Sequence, residues 1–263
     1  MTKFCSLYSG SSGNSIFIGN KKTKILIDAG MSFKKISEAL LSIGENVHDL
    51  NAVLITHEHS DHAKGIRVLY KKLGIPIYAN EKTWDSLQPE ALKIGTNDIC
   101  YFNTEEGFEI GDMWIKPFLI PHDAAEPVGF CIHIGDKKVT TATDIGHMTR
   151  KLLDNFLKSD LLFLESNHDV EMLKVGRYPW FLKQRILGEN GHLSNEMAGK
   201  VIAWMAEQGT KRFYLGHLSS ENNFPELAYQ TVCNALGEKS ICAGADVLLD
   251  VALRDRVGKV VEL

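Results

Sequence analysis

The segment "THEHSDHAKG" places His57, His59, Asp61 and His62 within six residues, directly after the apolar run "LNAVLITH". Imidazole and carboxylate together suit Zn2+, and also Mn2+ or Fe2+. In an extended stretch residues i and i+2 point the same way, so His57 and His59 can grip one ion while Asp61 and His62 turn toward a second. The plain alternative, a polar surface loop with chance histidines, fits poorly with so many ligand types at this spacing. Four side chains do not satisfy two ions, and further candidates stand where apolar strands end: His122 in "FLIPHDA", Asp144 in "VTTATDIG" and His217 in "FYLGHLS". Each alone would more often be a structural polar residue; beside the cluster they read as ligands. A pair of ions about 3.5–4 Å apart lowers the pKa of a bridging water and neutralises charge on the attacked group. That chemistry suits phosphodiesters, and also thioesters and lactams.

Such ligands need a rigid frame, and the pattern supplies one. "SIFIGN" and "TKILIDAG" read as strands joined by a turn around Asn20–Lys22, and "FKKISEALLSIG" has helical spacing. "LNAVLITH" and "IPIYAN" read as strands, with "AKGIRVLYKKLG" and "EKTWDSLQP" as helices. "CYF", "FEIGDMWIKPFLI" and "VGFCIHIGDKKVTTATD" form a strand-rich middle. Helices over "TRKLLDNFLKS", "SNEMAGKVIAWMAEQG" and "PELAYQTVCNALG" then alternate with strands "DLLFLES", "KRFYLGH" and "ADVLLDVA". Asn195 is expected to cap the long helix. Two mixed halves, strands inside and helices outside, predict an α/β fold of four-layer αββα type in one domain over residues 1–263.

The order His57-x-His59-x-Asp61-His62, then His122, Asp144 and His217, resembles the metal motifs of the metallo-β-lactamase superfamily across nearly the whole chain. The resemblance implies that His57, His59 and His122 hold a first ion, that Asp61, His62 and His217 hold a second, and that Asp144 bridges them. No cysteine stands at a ligand position, unlike typical di-zinc β-lactamases, which argues against antibiotic hydrolysis. "ESNHD", "GHLSN" and "GHLSSENN" resemble the nuclease branch, which includes tRNA 3′-processing and β-CASP nucleases. With "CSLYSGSSGNS" and "YPWFLKQRI" they are similar to the YycJ/WalJ family. That family implies a 5′-to-3′ DNA exonuclease, with a metal-bridged hydroxide as nucleophile, working in bacterial cytoplasm and in DNA repair. DNA is the expected partner, with RNA the neighbouring option. Glu165 and His192 match a proton-relay pair at the leaving group, Asp61 belongs to the catalytic set, and a histidine paired with a carboxylate suits general acid work. The large cap of β-CASP enzymes and the Gly/Pro-rich arm of the tRNA-processing enzymes have no counterpart, so an open groove is expected.

Substrate contacts are less sharply marked. Arg177, Lys183 and Arg185 stand beside Tyr178 and Trp180, a mixture that suits a phosphate backbone and a base face. A helix with a solvated charged face and Trp180 in the core is an equal reading. His168 in "SNHD" is a further candidate. The loop "SGSSGNS" lacks the Lys-Ser/Thr of a phosphate-binding P-loop and opens no helix, so no nucleotide cofactor is expected. It reads first as a turn, and then as a rim where Ser11, Ser12 and Asn14 touch a substrate phosphate.

Bulk properties agree. The 263-residue chain carries a formal net charge of −4, which argues against a generally basic nucleic-acid coat but leaves room for a local groove. Its five cysteines are scattered without a CxxC pair, fitting free thiols in a reducing compartment, and no apolar run is long enough to span a membrane. Two rivals remain open from the residues: a glyoxalase-II-like thioester hydrolase using the same seven ligands, and a non-catalytic metal-binding module. Structural zinc sites are usually closed and cysteine-rich, which counts against the second.

Overall fold

Successive residues of the central strands face opposite ways, and both faces are apolar. A computed structural model, describing residues 1–88 and 92–263, shows what this alternation builds. One sheet has strands β1 (Lys3–Tyr8), β2 (Ser15–Gly19), β3 (Lys24–Ile27), β4 (Ala52–Leu54), β5 (Ile77–Ala79), β6 (Ile99–Tyr101) and β14 (Val261–Glu262), in the order β14-β1-β2-β3-β4-β5-β6. The other has β7 (Phe108–Ile110), β8 (Met113–Leu119), β9 (Val128–Ile134), β10 (Lys137–Ala142), β11 (Leu161–Glu165), β12 (Arg212–Gly216) and β13 (Leu248–Val251), in the order β13-β12-β11-β10-β9-β8-β7.

Phe4, Ile18, Ile25 and Leu54 of the first sheet meet Ile115, Phe130, Val139 and Phe163 of the second in a shared core. Phe4, Phe130 and Phe163 are fully buried, each contributing about 1.5–3 kcal/mol of hydrophobic stabilisation. The opposite faces carry helices. Outside the first sheet lie α1 (Phe33–Ser42), the single turn α2 (Ser60–Ala63), α3 (Ile66–Leu73) and α4 (Glu81–Leu87), which bury Leu40, Ala63, Leu69 and Trp84 against Leu26 and Val53. Outside the second lie α5 (Arg150–Phe156), α8 (Asn195–Glu207) and α9 (Pro225–Gly237), which bury Phe156, Ile202 and Val232 against Leu162 and Leu164. The shorter α6 (Val170–Val175) and α7 (Trp180–Leu187) lie between β11 and α8 in the chain. The result is the expected αββα sandwich.

The strand directions decide where function sits. β3 and β4 are parallel neighbours in the first sheet. In the second, β8 and β10 each run opposite to β9, and β10, β11 and β12 are parallel, so four strands deliver their C-terminal ends to one edge.

Three local expectations need correction. "FEIGDMWIKPFLI" is a hairpin, β7 and β8 joined at Gly111, whose φ of +57° makes the turn. The cap of α8 is Ser194, whose hydroxyl accepts from the Met197 N–H; Asn195 is buried instead, bonded to Ser166 and Asn223. Trp180 is 68% exposed and so is not a core residue. All five cysteines are free, and no helix among the described residues is long and apolar enough to cross a membrane.

Candidate metal centre

Each candidate ligand follows a strand. β4 ends at Leu54, and the loop to α2 carries His57 and His59; α2 itself carries Asp61 and His62. His122 follows β8, Asp144 follows β10, Glu165 ends β11, and His217 follows β12. The second-sheet residues thus converge with the histidine loop at one edge of the sandwich.

Two groups form there. Potential ligand atoms of His57, His59 and His122 lie within 4.8 Å of one another, as do those of Asp61, His62 and His217. Asp144 stands between them: its Oδ1 is 3.8 Å from His122 Nε2 and its Oδ2 is 3.3 Å from His62 Nε2. The donor set fits divalent cations on an independent ground. His57 Nε2, His217 Nε2 and Asp144 Oδ2 are buried without any hydrogen-bond partner, a costly arrangement unless a cation takes their lone pairs.

The other nitrogen of each buried imidazole is held by the protein. His62 Nδ1 donates to Asp28 Oδ2 at 2.7 Å. His57 Nδ1 donates to the Thr56 hydroxyl at 3.0 Å, and that hydroxyl in turn donates to Asp28. His122 Nδ1 donates to the Gly191 carbonyl at 3.1 Å, and His217 Nδ1 donates to Glu165 Oε1 at 2.8 Å. Bonding at Nδ1 fixes the tautomer and aims Nε2 inward.

Glu165 carries the densest set of these bonds. Fully buried, it accepts His217 and His192 on Oε1 and the backbone N–H groups of Ile145 and Leu193 on Oε2. Burial alone would raise its carboxyl, but His192 and His217 outweigh that and hold it at about 2. Burial likewise opposes charge on His217, yet Asp144, Asp61 and Glu165 lift it to about 10, so a cation held there would displace the proton on Nε2. His62 lies well above its ordinary value because Asp28 and Asp144 overcome its burial, whereas His57 is driven well below by burial and by His62. Asp144 and Asp61 are held below the carboxylate range, burial notwithstanding, by the surrounding histidines.

Backbone conformation is specialised here. Asp28, Asp144 and His217 have φ of 61°, 60° and 57°, a left-handed geometry uncommon outside glycine. Gly30 packs so tightly on the histidine loop that an added Cβ would overlap the Asp61 carbonyl. The Gly30 N–H donates to the Asn14 carbonyl and the Asn14 N–H to the Asp61 carbonyl, which ties the serine–glycine loop to the ligands.

A cavity of about 220 Å³ opens over these groups, with His59, Asp61, His122, Asp144, His192 and His217 in its wall. Ser11 and Arg185 also line it, and Arg185 is ion-paired to Asp123. Asn14 touches the centre from below, its amide 3.0 Å from His62 Nε2 and 3.3 Å from Asp61 Oδ2. Ser12 faces away from this cavity, its carbonyl taking Lys64 Nζ at 2.6 Å. Arg177 is exposed and does not line the cavity. Lys183 is buried, does not line the cavity and donates to the Lys174 carbonyl at 2.7 Å, which braces α7 against α6. His168 is buried with both ring nitrogens unpartnered and borders a neighbouring pocket shared with His192, outside the metal cavity.

Several supporting residues escape a reading of the sequence alone. Asp28 and Thr56 back the first-sheet histidines; Asn167 donates to the His217 carbonyl at 2.8 Å, and Ser9 accepts its N–H at 2.7 Å. Asp123 lies 3.3 Å from His122 Nε2. The one available signal was "KILIDAG", an acid at the end of an apolar strand.

The beta-lactamase superfamily domain model matches residues 23–218. The chain is 41% identical to exodeoxyribonuclease YycJ of Bacillus anthracis over 242 residues, covering 92% of this chain and 91% of that one. It is 42% identical to exodeoxyribonuclease WalJ of Streptococcus pneumoniae over 246 residues, covering 93% and 91%. Among solved structures, the metallo-beta-lactamase fold protein YhfI of Bacillus subtilis superposes with a TM-score of 0.72 at 17% identity, covering 98% of this chain and all of YhfI, a likeness of fold alone. A domain match over most of the chain, full-length relatives and a strand-edge cluster of histidine and aspartate together make this chain a member of the beta-lactamase superfamily, in the family of YycJ and WalJ.

Proposed function

We propose that the protein is a metal-dependent nuclease, acting on DNA as a 5′-to-3′ exonuclease. The observation that carries this reading is the pair of ligand groups joined by Asp144 beneath a cavity walled by His192. That the YycJ and WalJ relatives are exodeoxyribonucleases supports the substrate class.

In this reading His57, His59 and His122 would hold one divalent ion and Asp61, His62 and His217 a second, with Asp144 available to either. Zn2+ and Mn2+ suit the set, as does Fe2+. The chemistry such ions supply when bound is neutralisation of phosphate charge and activation of water near neutral pH.

The remaining work belongs to the chain. Ser11 and Arg185 border the space a phosphate would fill, and Asn14 steadies Asp61 and His62. His192 Nδ1 is tied to Glu165 at 2.9 Å, which leaves Nε2 to hold a proton for the departing oxygen. As a water oxygen bonds phosphorus and the P–O bond to the leaving group breaks, the departing oxygen takes the Nε2 proton, and Glu165 keeps the resulting neutral imidazole oriented through its Nδ1–H. Glu165 is fully buried behind two histidines, so its part is to position them rather than to touch substrate. We place the activity in the cytoplasm, a setting that suits five free cysteines.

A time course on end-labelled DNA tests this, with single and double strands, 5′-phosphate and 5′-hydroxyl ends, and RNA for comparison, each with added Mn2+ or Zn2+. Stepwise loss from the 5′ end of DNA is expected. Turnover of a small thioester without cleavage of DNA or of bis-p-nitrophenyl phosphate would overturn the nuclease reading. Loss from the 3′ end would overturn the polarity alone.

A further inference from the structure

The serine–glycine loop separates the metal cavity from a second one. Ser11 lines the first and Ser12 the second, while Ser219, just beyond His217, lines both. The two spaces are therefore consecutive stretches of one surface. The second has a volume of about 430 Å³ and is bordered by Arg254, Arg256 and Phe224, with one carboxylate, Asp255, against the two cations.

Its charge is unbalanced. The stem of Arg254 lies across Gly10, where an added Cβ would come within 3.0 Å of Arg254 Cγ and 3.2 Å of the Leu218 carbonyl. Arg254 lines the cavity, and its Nη1 is enclosed without a hydrogen-bond partner, so that donor meets a ligand only when the guanidinium turns toward the cavity. A guanidinium cannot shed its charge, so a buried, unused donor is costly unless an acceptor arrives. Arg256 adds a second cation, its contact to the adjacent Asp255 stretched to 3.9 Å. Ser12 and Ser219 contribute hydroxyls. Phe224 is 47% exposed and presents an aromatic face. Fork-shaped cations with hydroxyls suit a phosphate, and a half-exposed ring suits a base.

We infer that this cavity binds the backbone phosphate next to the one being hydrolysed, with Arg254 as the principal contact and Phe224 under the adjoining base. The inference rests on the nuclease reading above and extends its site from one phosphate to two. An internal phosphodiester and a terminal 5′-phosphate share the required chemistry.

The test compares short single-stranded oligodeoxynucleotides, bearing 5′-phosphate or 5′-hydroxyl ends, with bis-p-nitrophenyl phosphate, which is too small to reach the second cavity. The metal-loaded full chain is used throughout. In Arg254→Gln the ratio of kcat/KM on the oligonucleotide to that on the small diester should fall about tenfold, through KM, the size of one charge-assisted hydrogen bond. The slope of log kcat/KM against log salt should become shallower by about 1. Arg254→Lys should recover part of the loss, keeping the charge without the fork. Phe224→Ala should cost about fivefold or more on single strands. A loss of equal size on both kinds of end identifies the internal phosphate; a loss confined to 5′-phosphate ends identifies the terminal one. An unchanged ratio in Arg254→Gln overturns the inference and leaves the nuclease reading intact. A parallel fall on both substrates also overturns it, because Arg254 would then support the centre and not the strand. Absence of cleavage of both the oligonucleotide and the small diester by the unaltered protein would count against the nuclease reading itself.

Discussion

The two sheets build their shares of the metal centre in contrasting ways around a common device. The first sheet delivers His57, His59, Asp61 and His62 from one continuous loop after β4, while the second spends one residue per strand on His122, Asp144 and His217. Yet each share is braced by a buried carboxylate at a strand end, Asp28 after β3 and Glu165 at the end of β11, each beside the strand that leads to the histidines it holds. Asp28 supports His62 directly and His57 through Thr56. Glu165 supports His217 and also His192. One carboxylate thus serves only proposed metal ligands, whereas the other links such a ligand to the proposed proton donor. The same bracing geometry carries two different loads.

That difference can be broken experimentally. The largest effect should come from removing a proposed ligand of the first sheet's loop: Asp61→Ala should lower hydrolysis of bis-p-nitrophenyl phosphate by ~10³-fold or more, with the far-UV circular dichroism unchanged. Next is His192→Ala, expected to slow cleavage of DNA by ~10²–10⁴-fold, with metal content by atomic absorption unaltered. Glu165→Gln should combine two smaller losses: about 10–100-fold in metal affinity by competition with a chelator, and a fall in kcat that excess metal does not restore. Asp28→Asn should be mildest, with the same loss of affinity but a kcat that returns when metal is saturating. If saturating metal rescued both carboxylate variants equally, the division of labour between them would be wrong.

Legibility in the sequence followed the same division. The loop after β4 announces itself because its ligands are neighbours in the chain. His122, Asp144 and His217 are single residues, and only their order and positions after apolar strands, set beside a family pattern, singled them out. The αββα layers were readable because strands buried on both faces are short unbroken apolar runs bounded by turn residues, while the helices between them keep a 3.6-residue period. Asp28 and Thr56 were not readable: a lone acid at the end of "KILIDAG" looks the same whether it caps a turn or grips an imidazole 34 positions away. Lys183 misled for the opposite reason. Its type suits phosphate, but packing between short helices turned it to a carbonyl. Charge identity is local information, whereas the direction a side chain takes is settled by tertiary contacts.

The close approach of Gly30 to the Asp61 carbonyl bears on how this protein tolerates genetic variation. Replacing Gly30 with alanine adds one methyl group, changes no ligand and leaves every motif histidine in place, yet it must push the loop that carries Asp61 and His62 out of register with the opposite sheet. A survey of natural variants scored only at metal ligands would pass such a sequence as intact. Inactivating changes are therefore expected at this glycine as well as at the histidines, in sequences whose metal signature reads as complete.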